Sequence, residues 1–235
     1  MLKFFLDKLI SVFILFIFSP IILVCLILVF AKDYSNPIYI SKRVGKNFVN
    51  FNLLKIRSMI NNADKSGISS TSINDKRITS IGKFIRRFKI DEVLQLVNVI
   101  KGDMSLVGPR PQIPSEVELY SEHEKNLLSI KPGITDFSSI IFSDEGEILK
   151  DSLDPNQDYN ILIRPWKSKL GIFYINNRDN LIDFQLLFFT FLSIFKRKLA
   201  LKNVSNLLKK INAEVELVNL AKRECSLREL KIKNI

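Results

Sequence analysis

The feature that most constrains this chain is an uncharged apolar run from Leu9 to Ala31, 23 residues long. As an α-helix the run would be about 35 Å long, enough to cross a hydrocarbon core of about 30 Å. A secretory signal is the first alternative, because Lys3 and Lys8 precede the run and Val29-Phe30-Ala31 imitates a cleavage site. The run is longer than the apolar part of a typical signal peptide, so we predict a retained membrane segment.

The charges around this run and a proline inside it leave its topology open. Lysine and arginine residues flank it on both sides, so the positive-inside rule gives no direction. Ser19-Pro20 lies at its centre, where proline removes a backbone donor and favours a kink. The Ser19 hydroxyl could satisfy the carbonyl that proline leaves free. From the residues alone, a kinked spanning helix is favoured over a re-entrant helix with both ends on one side of the membrane.

The net charge of +11 predicts anionic partners: lipid headgroups, phosphorylated substrates or nucleic acid. Residues 196–235 hold 11 Lys and Arg against 4 Glu. This basic tail has no aromatic residue to stack on bases and no reading motif, so we predict no nucleic-acid binding. The two cysteines, Cys25 and Cys225, can form neither a disulfide framework nor a zinc site. His123 lies in a polar stretch, so any chemistry should depend on carboxylates and basic residues.

The patterns between residues 37 and 111 predict two strands and two short helices. Strands are expected near residues 37–41 and 51–56, with a turn at Gly45-Lys46-Asn47 between them. Residues 61–76 are polar and predict a loop, and Thr79–Arg87 predicts a short basic helix. Residues 93–100 have apolar side chains at helical spacing, and Gly102 should end that helix. Residues 105–111 are expected to form a stiff loop, and Lys131-Pro132-Gly133 a turn.

Two further apolar patterns occur near the C-terminus. Ile182–Phe195 is strongly apolar but too short to span, and we favour an interfacial or partly interfacial helix over a core helix. Beyond it, apolar residues alternate by three and four over less than three heptads, which is too short to predict a coiled coil. This tail could pack on the domain, lie on the membrane or mediate self-association, so a homodimer remains open. Its apolar residues are Leu201, Val204, Leu208, Ile211, Val215 and Val218.

The candidate chemistry centres on Asp91-Glu92, which is expected to open a helix. Acidic residues are favourable at any helix N-terminus, so the pair alone is a weak signal. Lys55, Arg86 and Arg110 surround it in the sequence, and Arg110 is held between two prolines. A fixed guanidinium matches phosphate oxygens bidentately. Two carboxylates among cations suggest a diphosphate bound with Mg²⁺, and a carboxylate can also attack phosphorus.

The stretch from Asp75 through Asp91-Glu92 to Gly102-Asp-Met-Ser-Leu-Val-Gly-Pro-Arg-Pro111 resembles the bacterial sugar transferase family, the monotopic phosphoglycosyl transferases. The resemblance continues in Lys55-Ile-Arg-Ser-Met59, in Lys131-Pro-Gly-Ile-Thr135 and around Asp183, and covers roughly residues 1–195. It implies a mostly helical α+β monotopic membrane protein with a re-entrant N-terminal helix broken at Ser19-Pro20. A catalytic domain with interfacial helices would then lie on the cytoplasmic face of the bacterial inner membrane.

The resemblance also implies roles for individual residues. Asp91 would be the nucleophile that attacks the β-phosphate of a UDP-sugar and expels UMP, and undecaprenyl phosphate would then take the phosphosugar. Glu92 would help to hold Mg²⁺, together with Asp91. Lys55, Arg86 and Arg110 would bind the phosphates, and Asp183 would be a further acidic residue near the site. The expected domains are residues 1–32, the membrane helix; 33–198, the catalytic domain; and 199–235, a basic amphipathic extension.

The chain departs from the family pattern at three positions. Leu94 stands where proline is usual, Lys89 where a small hydroxyl residue is usual, and Asp136 where glycine is usual. These changes leave the nucleophile intact and put substrate specificity in question. The stretch from Ile134 to Glu147 indicates a subgroup, which the sequence does not tie to one sugar.

Two other readings stay open at the level of sequence. A non-catalytic membrane-anchored binding protein would explain the charge and the apolar run, but not Asp91-Glu92 together with Arg110. A degenerate enzyme, with Leu94 marking the loss of activity, would keep the fold without the reaction. The sugar and the pathway are not determined by the residues.

Overall fold

The computed structural model describes residues 2–66, 70–224 and 227. Cys225, part of the expected loop at 61–76 and the end of the basic tail lie outside the described residues. The α-helices are α1 Leu2–Asp33, α2 Ser80–Arg87, α3 Gln95–Lys101, α4 Pro114–Val117, α5 Phe137–Ile141, α6 Glu145–Ile148, α7 Pro155–Asp158, α8 Arg164–Asn177, α9 Asn180–Phe195, α10 Arg197–Lys210 and α11 Val215–Lys222. The strands are β1 Ile38–Val44, β2 Asn50–Ile56, β3 Ser105–Val107 and β4 Gly133–Thr135. The mostly helical α+β class is confirmed.

Helix α1 runs from Leu2 to Asp33 as one helix through Ser19 and Pro20, so the expected break at these two residues is not observed. Proline 20 has no amide hydrogen to donate to the carbonyl of Phe16, four residues earlier. The hydroxyl of Ser19 donates to that same carbonyl at 2.7 Å, so the expected compensation by Ser19 is confirmed. Of the residues described, α1 is the single helix that is long and apolar enough to cross a membrane.

Both ends of α1 are tied to the rest of the fold. At its start, Lys3 forms an ion pair with Asp183 of α9. At its end, Arg57 donates to both carboxylate oxygens of Asp33, at 2.5 and 2.6 Å. This hydrogen bonding, with the positive charge of Arg57, lowers the pKa of Asp33 to about 2. The whole length of the helix therefore lies along one body.

The two sheets are small, and each brings distant sequence together. The strands β1 and β2 form an antiparallel hairpin, as predicted, with Ile38 opposite Ile56. The strands β3 and β4 pair in parallel, with Ser105 opposite Gly133. The prediction of a loop from residue 105 and a turn at Gly133 was therefore wrong for these residues. Parallel pairing across nearly thirty residues leaves no local signal in either segment.

The main hydrophobic core joins β3, α3, α5, α8 and α9 to the C-terminal helices α10 and α11. Trp166, Leu170 and Ile140 are almost completely buried at its centre. Helices α10 and α11 pack on the domain, which is the first of the alternatives left open for the tail, and their contributions to this core include Leu201, Val204, Leu208, Val218 and Leu220. A homodimer stays a prediction. The predicted apolar seam is not continuous, because Val215 is exposed.

A second core cluster places α1 directly beneath the segment that carries Asp91. Ile22 and Cys25 of α1 pack with Ile85, Ile90 and Leu94. Leu94, which replaces the usual proline, is buried in this contact. Its side chain therefore contributes to the packing of α1 against the segment that contains the acidic pair.

Candidate active site

The acidic pair lies in a tight turn rather than at the start of an α-helix. Ile90–Glu92 forms a 3₁₀ turn, and α3 begins only at Gln95. The turn follows Lys89, which has a left-handed backbone with φ of 55° and ψ of 24°. Such a conformation is uncommon for a residue with a side chain and is concentrated at functional sites. The prediction that the pair opens the helix is corrected accordingly, while the end of the helix at Gly102 is confirmed.

Helix α3 fixes the distance between the acidic turn and Lys55. The buried side chain of Asn98 accepts a hydrogen bond from the amide of Leu54 at 3.0 Å. It also donates to the carbonyl of Asn52 at 2.8 Å, so its amide acts as a neighbouring strand would. The next residue of β2 is Lys55, whose ammonium lies 3.2 Å from Glu92 Oε1.

The strand β3 and its partner place Arg110. The amide of Gly108 donates to Thr135 at 3.0 Å, and that of Gly133 donates to Pro109 at 3.0 Å. Arg110 follows at the end of this paired segment and donates a charge-assisted hydrogen bond to Glu92 Oε1. Glu92 therefore holds Lys55 and Arg110 through one carboxylate oxygen.

The two adjacent carboxyl groups have opposite electrostatic environments. Burial alone would raise the pKa of Glu92, but Arg110 and Lys55 outweigh it and hold that pKa well below its usual range. Burial raises the pKa of Asp91, and the negative charge of Glu92 raises it further. The ion pairs of both cations are made with Glu92 rather than with Asp91. Asp91 is thus the more basic carboxylate of the pair and is not engaged in either ion pair.

Arg86, in the last turn of α2, also lies near the pair. Its positive charge lowers the pKa of Asp91, in the direction opposite to burial and Glu92. The structure therefore brings together Asp91, Glu92, Lys55, Arg86 and Arg110, as the sequence predicted. Their individual roles remain predictions.

Asp183 makes its polar contacts in a different cluster. Its carboxylate accepts a hydrogen bond from Tyr174 and pairs with Lys3. Next to it, Asp7 accepts from the hydroxyl of Ser105 at 2.6 Å. This cluster joins α1 to α8, α9 and β3, so the contacts of Asp183 help to hold α1 against the rest of the fold. Its role toward substrate stays a prediction.

Two cations near the pair were not among the candidates from sequence. Lys89 is largely enclosed, with its ammonium 3.5 Å from the carbonyl of Ser139, and burial lowers its pKa although Glu92 opposes this. Burial also lowers the pKa of Arg43, to about 10, and Arg110 adds to this effect. The sequence marks Lys89 only as a departure from the family, and Arg43 gives no signal because it lies in an ordinary strand.

A comparison with protein families identifies the family of this chain. Residues 1–197 match the model of the bacterial sugar transferase family. The chain belongs to this family. The segment that carries Asp91, Glu92 and Arg110 lies inside the matched region, and the expected family is confirmed.

Curated relatives of this sugar transferase chain are similar over about half of its length. One is the UDP-N-acetylgalactosamine-undecaprenyl-phosphate N-acetylgalactosaminephosphotransferase of Aeromonas hydrophila, 33% identical over 57% of this chain and 33% of the relative. Another is the undecaprenyl-phosphate galactose phosphotransferase of Salmonella typhimurium, 39% identical over 55% of this chain and 30% of the relative. A third is the UDP-galactose-lipid carrier transferase of Erwinia amylovora, 40% identical over 48% of this chain and 27% of the relative. The matched segments cover a third or less of each of these proteins.

Proposed function

We propose that this sugar transferase is a phosphoglycosyl transferase that moves a sugar 1-phosphate from a UDP-sugar to undecaprenyl phosphate. The observation that carries the proposal is the difference between the two carboxylates: Glu92 forms ion pairs with Lys55 and Arg110 through one of its oxygens, while Asp91 is more basic and outside those ion pairs. Family membership and the substrates in the relatives' names support the choice of donor and acceptor. Such a transfer would begin the assembly of a cell-surface polysaccharide.

The proposed reaction has two steps on phosphorus. A carboxylate oxygen of Asp91 forms a bond to the β-phosphorus, the bond from that phosphorus to the bridging oxygen breaks, and UMP leaves. An oxygen of undecaprenyl phosphate then attacks the same phosphorus and releases Asp91. Lys55, Arg86 and Arg110 would hold the phosphate oxygens, which spread the developing negative charge in the transition state.

Magnesium is a proposed cofactor, and the donor set fits it in part. Asp91 and Glu92 offer hard carboxylate oxygens, which Mg²⁺ binds together with substrate phosphates and water. No group of three or more His, Cys, Asp or Glu side chains that could hold a metal occurs among the described residues. The ion would therefore be bound largely by the substrate, and it would withdraw charge from the phosphate oxygens.

We further propose that α1 enters the membrane without crossing it. Crossing would separate the two ends of the helix by about 30 Å of hydrocarbon. Lys3 pairs with Asp183 and Asp33 pairs with Arg57, so both ends contact one body. A row of exposed aromatic side chains on α9 would lie in the same interface: Phe184, Phe188, Phe191 and Phe195. We propose that this side is the cytoplasmic face of a bacterial inner membrane, where a soluble UDP-sugar can reach the active site.

Cysteine labelling tests the topology. In a background of Cys25→Ala and Cys225→Ala, Leu2→Cys and Tyr34→Cys place one exposed thiol at each end of α1. Both should react with an impermeant maleimide only in inverted membrane vesicles, which expose the cytoplasmic face. Reaction of Leu2→Cys from the periplasmic side would show a spanning helix.

UMP release tests the reaction. The purified full chain would be supplied with UDP-sugars, undecaprenyl phosphate and Mg²⁺. Asp91→Asn should lower the rate by about 10³-fold or more, as expected for a nucleophile, and EDTA should stop the wild-type reaction. Asp151→Asn, at an exposed carboxylate, is the matched control and should leave the rate unchanged. Equal rates in Asp91→Asn and the wild type would contradict the proposal.

A further inference from the structure

A polar pocket opens beside Arg110, next to the acidic pair. Its walls come from the loop after β3, from the stretch 116–127, from the start of α5, from the segment Tyr159–Ile163 and from α8. The residues that define it here are Arg110, Gln112, Asp136, Ser138, Tyr159 and Lys167. Because Arg110 contacts Glu92 on one side and lines the pocket on another, a group attached to a phosphate at Arg110 could enter this pocket.

The positive charges of the pocket are compensated within the protein. Each of its three cationic side chains pairs with a carboxylate: Arg110 with Glu92, Arg164 with Glu124, and Lys167 with Glu145. The carboxylates of Asp136 and Glu116 also line it. The pocket therefore offers hydrogen-bonding groups without an excess of positive charge, and it disfavours a ligand with a carboxylate.

The uncharged residues of the pocket provide both polar and apolar surface, as a hydroxylated ring requires. Gln112 Nε2 lies 3.4 Å from the hydroxyl of Tyr159, so both groups present polar atoms at one place. Tyr120 and Leu127 add apolar surface. Alternating hydroxyl groups and apolar ring faces are the surfaces that a pyranose presents.

We propose that this pocket binds the sugar of the UDP-sugar and selects an uncharged sugar. The inference rests on the proposed function, which supplies the diphosphate at Arg110. It also gives the subgroup segment 134–147 a role. That segment contributes Asp136 and Ser138 to the wall, and its Glu145 holds Lys167.

Lys89, which also differs from the family pattern, lies next to the wall that contains Asp136 and Ser138. Its ammonium lies 3.5 Å from the carbonyl of Ser139, and the charge of Asp136 acts on it. Two positions that differ from the family pattern are therefore adjacent, between the acidic pair and the pocket. This adjacency links the site of bond breaking to the site where the sugar is selected.

Binding measurements on the full chain in detergent separate the sugar from the nucleotide. The ligands are UDP, UDP-galactose, UDP-N-acetylgalactosamine and UDP-glucuronic acid. Tyr159→Phe, Gln112→Ala and Lys167→Met should each weaken the better-bound uncharged UDP-sugar by about tenfold, since each removes a hydrogen bond to the sugar or the geometry that supports one. The same variants should leave the affinity for UDP within about twofold.

Lys169→Met is the matched control for Lys167→Met. Lys169 is two residues away on α8 and is also ion-paired, but its partners are Glu214 and Glu216 and it does not line the pocket. It should leave every affinity unchanged. Tyr159→Phe keeps the ring, so it reports on the pocket even if Lys167→Met does not fold.

Equal weakening of UDP and UDP-sugar by the pocket variants would overturn the inference, because the nucleotide would then occupy the pocket. Unchanged UDP-sugar binding in all three variants, or preferred binding of UDP-glucuronic acid, would overturn it as well. A wild-type chain that binds UDP-sugars through this pocket and releases no UMP would contradict the proposed reaction alone. Absence of any UDP-sugar binding would contradict both.

Discussion

At the scale of single residues, Asp91 and Glu92 show how one pair of neighbours acquires two chemical characters. Glu92 remains ionised because Arg110 and Lys55 hold its pKa well below its usual range, against the effect of burial. Asp91 has a raised pKa because it is buried beside that permanent negative charge. A more basic carboxylate is a better nucleophile, provided that the pH is high enough to ionise it.

This difference predicts the pH dependence of the first step. Activity requires ionised Asp91, so log(kcat/KM) should fall as the pH drops through its raised pKa. Arg110→Gln removes a positive charge that lowers this pKa, and the acid limb should move to higher pH. Glu92→Gln removes the negative charge that raises it, and the limb should move to lower pH. Rate profiles of UMP release measure both, and shifts in the same direction would contradict the assignment.

Lys89 gives a second prediction at this scale. Its ammonium belongs to the cation group around the acidic pair, and its backbone is left-handed. Lys89→Asn removes the charge and keeps a residue that tolerates this backbone. We expect KM for the UDP-sugar to rise by about tenfold, because the proposed charge-assisted contact between the Lys89 ammonium and the substrate is lost. The melting temperature should change little. Arg87→Asn, at an exposed cation two residues away, should leave KM unchanged.

The sequence predicted single residues well where motif and chemistry coincide. Asp91, Glu92, Lys55 and Arg110 meet as expected, because each lies in a distinctive local pattern. Arg43 was missed because its position opposite Phe51 in the hairpin, and its nearness to Arg110, depend on tertiary packing.

At the scale of elements, two glycines allow β3 and β4 to approach closely. A Cβ atom on Gly133 would lie 2.1 Å from the amide nitrogen of Gly108, and one on Gly108 would lie 2.7 Å from the carbonyl oxygen of Lys131. Both neighbours are backbone and cannot rotate away. The glycines of Gly-Pro-Arg-Pro and Lys-Pro-Gly-Ile-Thr are therefore explained by one tertiary contact, which neither local pattern predicts.

Gly133→Ala should displace the segment that leads to Arg110. We expect a loss of about 1–3 kcal/mol in the free energy of unfolding, typical of overpacking, and a fall in kcat/KM larger than this loss explains. Gly146→Ala is the control, since its Cβ would come no closer than 3.2 Å to a neighbouring atom. Urea unfolding and UMP release measure the two effects. An unchanged kcat/KM in a folded Gly133→Ala variant would show that Arg110 does not depend on this contact.

At the scale of the whole molecule, the membrane helix and the C-terminal helices are both built into the catalytic body. The sequence predicted that α1 enters the membrane, but its packing beneath Ile90 and Leu94 depends on contacts across more than sixty residues. The sequence also did not predict what the tail packs against, because an apolar seam does not identify its partner. The structure buries α10 and α11 in the same core as α5 and α8.

Truncation of the tail tests this integration. Ending the chain after Lys198 would remove α10 and α11 with five buried leucines: Leu201, Leu207, Leu208, Leu217 and Leu220. Each buried leucine contributes about 1.5–3 kcal/mol, and a whole domain is stable by only about 5–15 kcal/mol. We therefore expect the shortened chain to unfold or aggregate in detergent, judged by size-exclusion chromatography and thermal melting.

Ending the chain after Glu224 is the matched truncation. It keeps both helices and the ion pair of Arg223 with Asp144, at 2.9 Å, so its melting temperature should stay within a few degrees of the full chain. If the chain that ends after Lys198 melts cooperatively and releases UMP at the full rate, residues 199–235 form a separate extension. Loss of folding only in the shorter chain would instead place the end of the catalytic domain between residues 199 and 224, within or after α10 and α11, because a core cannot lose one wall and keep its packing.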